Sequence, residues 1–164
     1  MPIMDWFTSD THFNHRNIIQ YCNRPFKDVN HMNLVLMQNW NERVALDDTV
    51  YHLGDFALGP VMRWPEFVKN LNGYKILVRG NHDGSKAKML RCGFNEVHDS
   101  LEYQGWKLVH DPNGQNGKIL CGHVHDAWKL KQDNNCHIVN VGVDQWNFRP
   151  VAFDELMLVS ESAQ

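Results

Sequence analysis

A short apolar run that ends in four polar or small residues constrains the fold of this chain more than any other feature. Residues 74–78 are predicted to form a strand, which leads through Arg79 into Gly80-Asn81-His82-Asp83. A strand closed by glycine predicts a tight loop, and in an open α/β sheet the loops at the carboxyl ends of strands carry the chemistry. Taken alone, the same four residues could form an ordinary polar turn, so the other motifs decide between the two interpretations.

The same arrangement recurs along the first half of the chain. Strands are predicted over residues 3–8, 49–53 and 74–78, and helices begin at about Asp28 or Asn30, at Pro60 and at Ser85. The longest helix runs to about Val44 and places apolar residues at helical spacing, which predicts a core-facing side. This alternation is typical of βαβ units with a parallel sheet. The second half differs, with a hairpin over residues 101–110 and strands over residues 118–121 and 136–141.

Composition limits the classes of function. The 164 residues, of which 43% are hydrophobic, are expected to form one domain over residues 1–164. The net charge of −3 does not indicate binding of extended nucleic acid, although it leaves room for a local basic rim. No apolar run approaches the ~20 residues of a membrane span, and no leader peptide is apparent. We therefore expect a cytoplasmic protein that does not bind a membrane, and the oligomeric state stays open.

Cysteine and histidine usage narrows the metal chemistry. The four cysteines form no C-x-x-C pair, which favours free thiols in a reducing compartment over a thiolate zinc site. Ten histidines are a high number, and imidazole is the commonest metal ligand near neutral pH. Four of them follow no motif and are expected at the surface or in the core: His31, His52, His98 and His137.

Five predicted strand ends supply carboxylate, amide and imidazole groups: Asp10, His12, Asp55, Asn81, His82, His110, His123 and His125. Taken alone, the D-x-H and G-D motifs and His110 are each more often structural than ligating. The G-H-x-H motif is a stronger signal, because histidines two positions apart share one face of a strand end, and five such motifs in order after apolar runs are hard to assign to chance. On extended backbone, two residues that are two positions apart point the same way, as we expect for Asp10 with His12. The set suits two ions of Mn²⁺, Fe, Zn²⁺ or a similar metal.

These groups indicate phosphoryl-transfer chemistry. Two ions ~3.5–4 Å apart clamp the attacking and leaving oxygens and lower the pKa of a bound water towards ~7, so that metal-bound hydroxide can attack. Asp55 is the natural bridge, because each of its two oxygens can take one ion. His82 could protonate the leaving alkoxide as general acid, and Asp83 could hold its tautomer.

In this order the motifs resemble those of the calcineurin-like metallophosphoesterase superfamily. Its patterns D-x-H, G-D, G-N-H-D/E, H and G-H-x-H correspond here to Asp10-Thr11-His12, Gly54-Asp55, Gly80-Asn81-His82-Asp83, His110 and Gly122-His123-Val124-His125. The small bacterial and phage members are the most similar, through residues 7–19, 51–56 and 140–150. The resemblance implies an α/β fold, a four-layer αββα sandwich of two mixed sheets with helices outside.

The resemblance also implies a ligand set for each ion. Asp10, His12, Asp55 and His125 would hold one divalent metal, and Asp55, Asn81, His110 and His123 would hold the other. Mn²⁺ is favoured over Fe, Zn²⁺ and Ni²⁺, and His82 would be the acid that also contacts the phosphate. Leu58 stands where many members carry an acidic or amide residue, which leaves the substrate side of the site open.

Substrate contacts are sought among residues near the first motif and in a late loop. His15, Arg16 and Asn17 follow His12 in one loop, and Arg24 and Arg149 carry guanidinium groups that match phosphate oxygens. We expect a metal-dependent phosphodiesterase that acts on a small phosphate ester or nucleotide. The alternatives are a phosphomonoesterase of the same family, a non-catalytic scaffold as in the retromer coat, and a single-metal hydrolase of unrelated fold.

Overall fold

Two five-stranded sheets form the centre of the computed structural model, which describes residues 2–162. The first sheet contains β1 (Asp5–Thr8), β2 (Thr49–His52), β3 (Tyr74–Val78), β4 (Glu96–His98) and β10 (Val151–Ala152). The second contains β5 (Leu101–Tyr103), β6 (Trp106–Leu108), β7 (Gly117–Cys121), β8 (Leu130–Gln132) and β9 (Cys136–Asn140). The strand orders are β10-β1-β2-β3-β4 and β5-β6-β7-β9-β8.

Both sheets are mixed, with parallel strands at their centres. Strands β1 to β4 run parallel, and β10 pairs antiparallel with β1. In the second sheet β6, β7 and β9 are parallel, whereas β5 and β8 are antiparallel edge strands. The central strands of each sheet therefore end on one side, which is the arrangement that collects loop residues into one site.

The described residues contain five α-helices: α1 (Ile18–Tyr21), α2 (Val29–Arg43), α3 (Trp64–Lys69), α4 (Lys86–Arg91) and α5 (Phe153–Ser162). Of the two predicted caps for α2, Asp28 is the one used, because its carboxylate accepts a hydrogen bond from the His31 amide at 2.8 Å. Pro65, which could disturb the helix after Pro60, lies in the first turn of α3, where proline is tolerated. No helix within residues 2–162 has the length and apolar character needed to cross a membrane.

The apolar side of α2 packs against the first sheet, as its spacing predicts. Met32, Leu36 and Trp40 are buried in one cluster with Val50 of β2 and Leu77 of β3. Burial of one such side chain contributes ~1.5–3 kcal/mol. Helix α2 is thus held by tertiary packing of one face, and it forms part of the layer outside the first sheet.

A second apolar cluster joins the two sheets. Phe7 and Val78 from the first sheet meet Leu108, Leu120 and Val139 from the second, all of them buried. The two mixed sheets with helices outside them, predicted from the family resemblance, are confirmed. On the outer face of the second sheet the covering layer includes a loop: Trp128 packs there against the buried residues Ile119, Cys121 and Ile138.

Three strands are absent from the sequence prediction. The shortest of them, β10, has two residues and pairs with β1 at the edge of the first sheet. β4 and β8 have three residues each and lie at sheet edges, where they pair with β3 and β9. Three residues carry too little alternation to give a periodic signal. Their extended conformation follows from the neighbouring strand, which only the assembled sheet provides.

Candidate metal centre

The eight motif residues lie just beyond the ends of five strands. Asp10 and His12 follow β1, Asp55 follows β2, and Asn81 and His82 follow β3. The second sheet contributes His110 after β6, and His123 and His125 after β7. The structure gathers six of them into two groups whose ligand atoms lie within 4.8 Å of one another: Asp10 with His12 and His125, and Asp55 with His110 and His123.

The first group leaves buried polar atoms without partners. His12 Nε2 lies 3.8 Å from Asp10 Oδ1, and His125 Nε2 lies 3.9 Å from the same oxygen. Among the described residues, neither Asp10 Oδ1 nor His12 Nε2 has a hydrogen-bond partner, although both atoms are buried. An unsatisfied buried polar atom costs ~1–3 kcal/mol, so a cation between these atoms fits both their geometry and their chemistry.

The second group is more closely spaced. His110 Nε2 lies 3.3 Å from Asp55 Oδ2, 3.0 Å from Asn81 Oδ1 and 3.2 Å from His123 Nδ1. His110 is held in place because its Nδ1 donates to the carbonyl of Leu53 at 2.7 Å. Two imidazoles, an amide oxygen and a carboxylate therefore converge, which is a set of donors suited to a divalent transition metal.

One oxygen of Asp55 faces both groups, whereas the sequence interpretation expected each of its two oxygens to face one ion. Asp55 Oδ2 is 3.7 Å from His12 Nε2 and 3.3 Å from His110 Nε2. The other oxygen, Oδ1, instead accepts a hydrogen bond from the His82 amide at 2.9 Å. The two oxygens do not face one group each, because the loop after β3 engages Oδ1.

The backbone of these loops is left-handed, whereas the sequence interpretation assumed extended chain. Positive φ values occur at Asp10 (56°), His12 (51°), Asp55 (56°), His123 (73°) and His125 (46°). Such conformations cost roughly 1–3 kcal/mol at a residue other than glycine, and they cluster at functional sites. The side chains of Asp10 and His12 lie close together, as expected. The reason given for this, extended backbone at both residues, is wrong.

Two motif glycines provide space. A Cβ atom on Gly80 would overlap the carboxylate of Asp55, and one on Gly122 would come within 2.5 Å of Asp10 Oδ2. Neither glycine has a positive φ. The glycines of G-N-H-D and G-H-x-H are thus needed for close approach of the loops to the carboxylates.

The electrostatics of the site favour positive charge. Burial opposes ionisation of Asp10 and Asp55, but the neighbouring imidazoles of His12 and of His110 respectively, with the surrounding histidines, hold the pKa of both carboxyls below their usual range. Burial lowers the pKa of His110, but the Asp55 carboxylate outweighs it and raises that pKa to about 9. Two carboxylates thus keep their negative charge in a buried place, as a cation site requires.

His82 and Asp83 have different surroundings. His82 is exposed, and its ring centroid lies 5.7 Å from that of His12, so it can reach a substrate. Asp83 does not hydrogen-bond to His82. Its carboxylate accepts from the amides of Gly80, Asp55 and Phe56 at 2.7, 2.8 and 3.0 Å. The predicted role of Asp83 in holding the His82 tautomer is wrong, since this carboxylate instead fastens the loops after β2 and β3 to each other.

The five substrate candidates fall into three groups. His15 Nδ1 lies 3.0 Å from His12 Nδ1, which places His15 beside the first group. Arg16, Asn17 and Arg149 are exposed. Arg24 is buried and donates to Asp144 and to two main-chain carbonyls, so its predicted phosphate contact is wrong.

A cavity of about 500 Å³ opens beside the second group, away from those candidates. Its lining includes His110 and His123 together with Arg79, Lys107 and Asp111. Arg79 is paired with Asp99 at 2.6 Å, whereas the Lys107 ammonium donates to the neutral amide oxygen of Gln115 at 2.9 Å. The cavity thus places Arg79 and Lys107 next to candidate ligands, together with the carboxylates of Asp99 and Asp111, a feature that the sequence interpretation missed.

The histidines outside the motifs have structural surroundings. His52 is buried, and its ring contacts Thr11 Oγ1 at 2.9 Å and accepts from the Gly54 amide at 3.1 Å. His98 lies 3.0 Å from a Glu96 oxygen, and His137 lies 2.6 Å from Ser160 Oγ. The sequence interpretation of these side chains as core or surface residues agrees with their positions.

Asp144 is a site residue that the sequence interpretation missed. Its Oδ2 lies 3.5 Å from His125 Nδ1, and its carboxylate is paired with Arg24. A carboxylate shortly after β9 was visible in residues 140–150, the last segment of the resemblance, but no spacing rule links it to His125.

Comparison with known proteins agrees with this fold. The family model described as calcineurin-like phosphoesterase matches residues 6–156, and the chain belongs to that family. Members of the family act on phosphate esters and typically bind divalent metals.

Three relatives give the extent of the similarity. The uncharacterized protein MJ1445 of Methanocaldococcus jannaschii is 37% identical over 172 residues, which cover 97% of this chain and 92% of that protein. The gene 66 protein of Mycobacterium phage L5 is 29% identical over 193 residues, covering 92% and 91%. The crystal structure of AQ665, a protein of unknown function from Aquifex aeolicus, has a TM-score of 0.73 at 27% identity and covers 96% of this chain and 100% of its own.

Proposed function

We propose that this chain is a dinuclear-metal-dependent phosphodiesterase that acts on a small, nucleotide-type substrate. The observation that supports this most directly is the position of Asp55 Oδ2, which lies within 4 Å of nitrogen atoms from both candidate groups. A single carboxylate oxygen between two sets of nitrogen and oxygen donors is suited to two ions that act together on one phosphate.

Each ion has a proposed set of ligands. Asp10, His12, Asp55 and His125 bind the first ion, and Asp55, Asn81, His110 and His123 bind the second. The donors are oxygen and imidazole nitrogen, a mixed set that suits Mn²⁺, Fe, Zn²⁺ or Ni²⁺, and we propose Mn²⁺ as the first candidate. The unpartnered buried atoms Asp10 Oδ1 and His12 Nε2 support this assignment.

His82, the exposed histidine of the site, has one proposed role in the reaction. When bound, the two ions supply charge stabilisation for the phosphoryl oxygens and an activated water for in-line attack. His82 donates its proton to the oxygen of the leaving alcohol, as its exposure beside His12 allows. Asp83 positions the loop of His82 through three backbone amides.

The preference for a diester rests on space beside the site. The cavity next to His110 and His123 is large enough for a second ester group, and Lys107, whose ammonium is bonded to the neutral amide of Gln115, suits an anionic substituent there. A monoester lacks that group and would leave the cavity without a ligand. We further propose that the chain acts as one domain in the cytoplasm, where its four free cysteines stay reduced.

Hydrolysis of bis-p-nitrophenyl phosphate and p-nitrophenyl phosphate with added Mn²⁺ tests the proposal. We expect the wild type to prefer the diester and His82→Ala to lose ~10²–10⁴-fold in rate, the usual contribution of a general acid. His98→Ala is the matched control, because His98 is a half-buried histidine bonded to Glu96.

The alternatives give different results in the same assay. A preference for the monoester would make the chain a phosphomonoesterase. Full activity of His82→Ala would remove His82 from the reaction. An absence of turnover of either ester with Mn²⁺, Fe, Zn²⁺ or Ni²⁺ would favour a non-catalytic scaffold.

A further inference from the structure

A buried ion pair lies directly behind the first candidate group. Arg24 Nε donates to Asp144 Oδ1 at 2.9 Å and Arg24 Nη2 donates to Asp144 Oδ2 at 2.9 Å. Their side chains are 0% and 3% exposed. The two residues are 120 positions apart, so this bidentate pair joins the start of the chain to the segment after β9.

The same guanidinium also fixes the loop of the D-x-H motif. Arg24 Nη2 donates to the carbonyl of Asp10 at 2.7 Å, and Nη1 donates to the carbonyl of Thr11 at 3.0 Å. This backbone adopts left-handed φ values at Asp10 and His12. Hydrogen bonds to its carbonyls from a rigid, planar cation can hold that strained shape.

Asp144 in turn faces His125, the candidate ligand that follows β7 of the second sheet. Its Oδ2 is 3.5 Å from His125 Nδ1, while His125 Nε2 points towards Asp10 Oδ1 at 3.9 Å. A carboxylate behind the distal nitrogen of a ligating histidine fixes the tautomer and the ring orientation. The 3.5 Å separation is an ion-pair contact, and among the described residues His125 Nδ1 has no hydrogen-bond partner. A proton on Nδ1 facing Asp144 would direct the lone pair of Nε2 at the first group.

We propose that Arg24 and Asp144 are positioning residues for the first metal. Asp144 orients His125, and Arg24 ties Asp144 to the backbone of Asp10 and Thr11, so that ligands from both sheets keep one geometry. This inference rests on the proposed function only in requiring that the first group binds a divalent ion. It assigns to Arg24 a role behind the metal site, where the sequence had suggested a phosphate contact.

A neighbouring thiol offers a competing arrangement. Cys22, His125 and Asp144 also place their ligand atoms within 4.8 Å of one another. Both oxygens of Asp144 already accept from Arg24, which favours a positioning role over direct metal ligation. The Mn²⁺ affinity of Cys22→Ser distinguishes the two arrangements.

Calorimetric titration of the full chain with Mn²⁺ tests the inference. We expect two bound ions in the wild type, and in Asp144→Asn a ~10–100-fold weaker affinity for one of them, the usual effect of an outer-shell partner. The other ion should bind as in the wild type. Arg24→Lys keeps the positive charge but loses the planar guanidinium that forms the two hydrogen bonds, and it should weaken the affinity for the same ion. This variant replaces Asp144→Asn in the test if Asp144→Asn does not fold.

A bidentate pair outside the site provides the control. Arg43 binds Glu155 through two hydrogen bonds of 2.9 Å, so Glu155→Gln makes the same chemical change elsewhere and should leave both Mn²⁺ affinities unchanged. If Asp144→Asn and Arg24→Lys lower only the unfolding temperature and keep both affinities, the pair is structural and the inference is wrong.

Two further results would overturn the inference in different ways. A loss of Mn²⁺ affinity in Cys22→Ser as large as in Asp144→Asn would place the ion among Cys22, His125 and Asp144, with the thiol as a ligand. If the wild type binds no Mn²⁺, the metal centre of the proposed function fails as well, a result distinct from a failure of the positioning role alone.

Discussion

Two buried aspartates, Asp48 and Asp10, lie at opposite ends of the first sheet and differ in their hydrogen bonding. Asp48 immediately precedes β2 at the amino ends of the parallel strands, and Asp10 follows β1 at the carboxyl ends. Their exposed fractions are 4% and 0%. Burial of a carboxylate is costly in both places, so the difference lies in how each one is compensated.

Asp48 is satisfied by the fold itself. Its Oδ1 accepts from the Met4 amide at 2.9 Å, and its Oδ2 accepts from the Ala45 amide at 2.8 Å and from Trp6 Nε1 at 2.9 Å. These charge-assisted bonds connect the starts of β1 and β2. The charge of Asp48 therefore contributes to stability.

Asp10 is only partly satisfied. Its Oδ2 accepts from the His123 amide at 2.9 Å, but Oδ1 has no hydrogen-bond partner and faces His12 and His125. Its backbone is left-handed as well, at a φ of 56°. Of these two buried carboxylates, the one at the carboxyl ends of the strands keeps an unsatisfied oxygen and a strained backbone, and the one at the amino ends has hydrogen bonds to both oxygens.

The largest expected effect is the loss of activity in Asp10→Asn. Removal of a ligand of the first ion should lower Mn²⁺-dependent diester hydrolysis by ~10³-fold or more, because the reaction depends on both ions. The metal-free protein should keep its free energy of unfolding to within ~1 kcal/mol, since an asparagine oxygen can still accept from the His123 amide. Rate assays and urea unfolding in chelator measure the two quantities. A stability loss equal to that of Asp48→Ala would contradict the contrast between the two aspartates.

Asp48→Ala should lower the stability of the protein and leave its Mn²⁺ affinity unchanged. Two backbone amides and the Trp6 indole lose their acceptor, and we expect the free energy of unfolding to fall by roughly 3 kcal/mol. The folded fraction should bind Mn²⁺ with wild-type affinity, because Asp48 lies at the other end of the sheet. Urea unfolding and calorimetric titration check both statements. Weakened Mn²⁺ binding would mean that the two ends of the sheet are coupled.

A smaller effect follows from the pH dependence of the same residue. Burial raises the pKa of Asp48, but the hydrogen bonds from Met4, Ala45 and Trp6 outweigh it and hold the pKa below its ordinary value of 3.8. Since the folded-state pKa is depressed, the stabilisation by this carboxylate is fully present above about pH 5 and is lost as the pH falls through the folded-state value. The difference in unfolding free energy between wild type and Asp48→Asn should therefore be constant above about pH 5 and should shrink as the pH falls further. A constant difference would show that the charge of Asp48 does not contribute.

Much of the fold follows from local pattern. The alternation of apolar runs and turn residues predicts β3 at Tyr74–Val78 and a helix from Asp28, and both are confirmed. The hairpin of β5 and β6 is confirmed for the same reason. Edge strands β4 and β8 escape this reasoning because their conformation depends on pairing with a neighbour.

The sequence by itself determined which side chains are candidates for the metal centre and in what order they follow the strands, because each motif follows an apolar strand whose end must lie at one edge of a sheet. Only the tertiary structure decided how those side chains are placed and which of their atoms face the two candidate groups. The left-handed backbone at His12 and the choice of Asp55 Oδ2 depend on loop geometry that residue spacing does not specify. The pairing of Arg24 with Asp144 joins residues 120 positions apart, and such a contact exists only once both sheets have packed together.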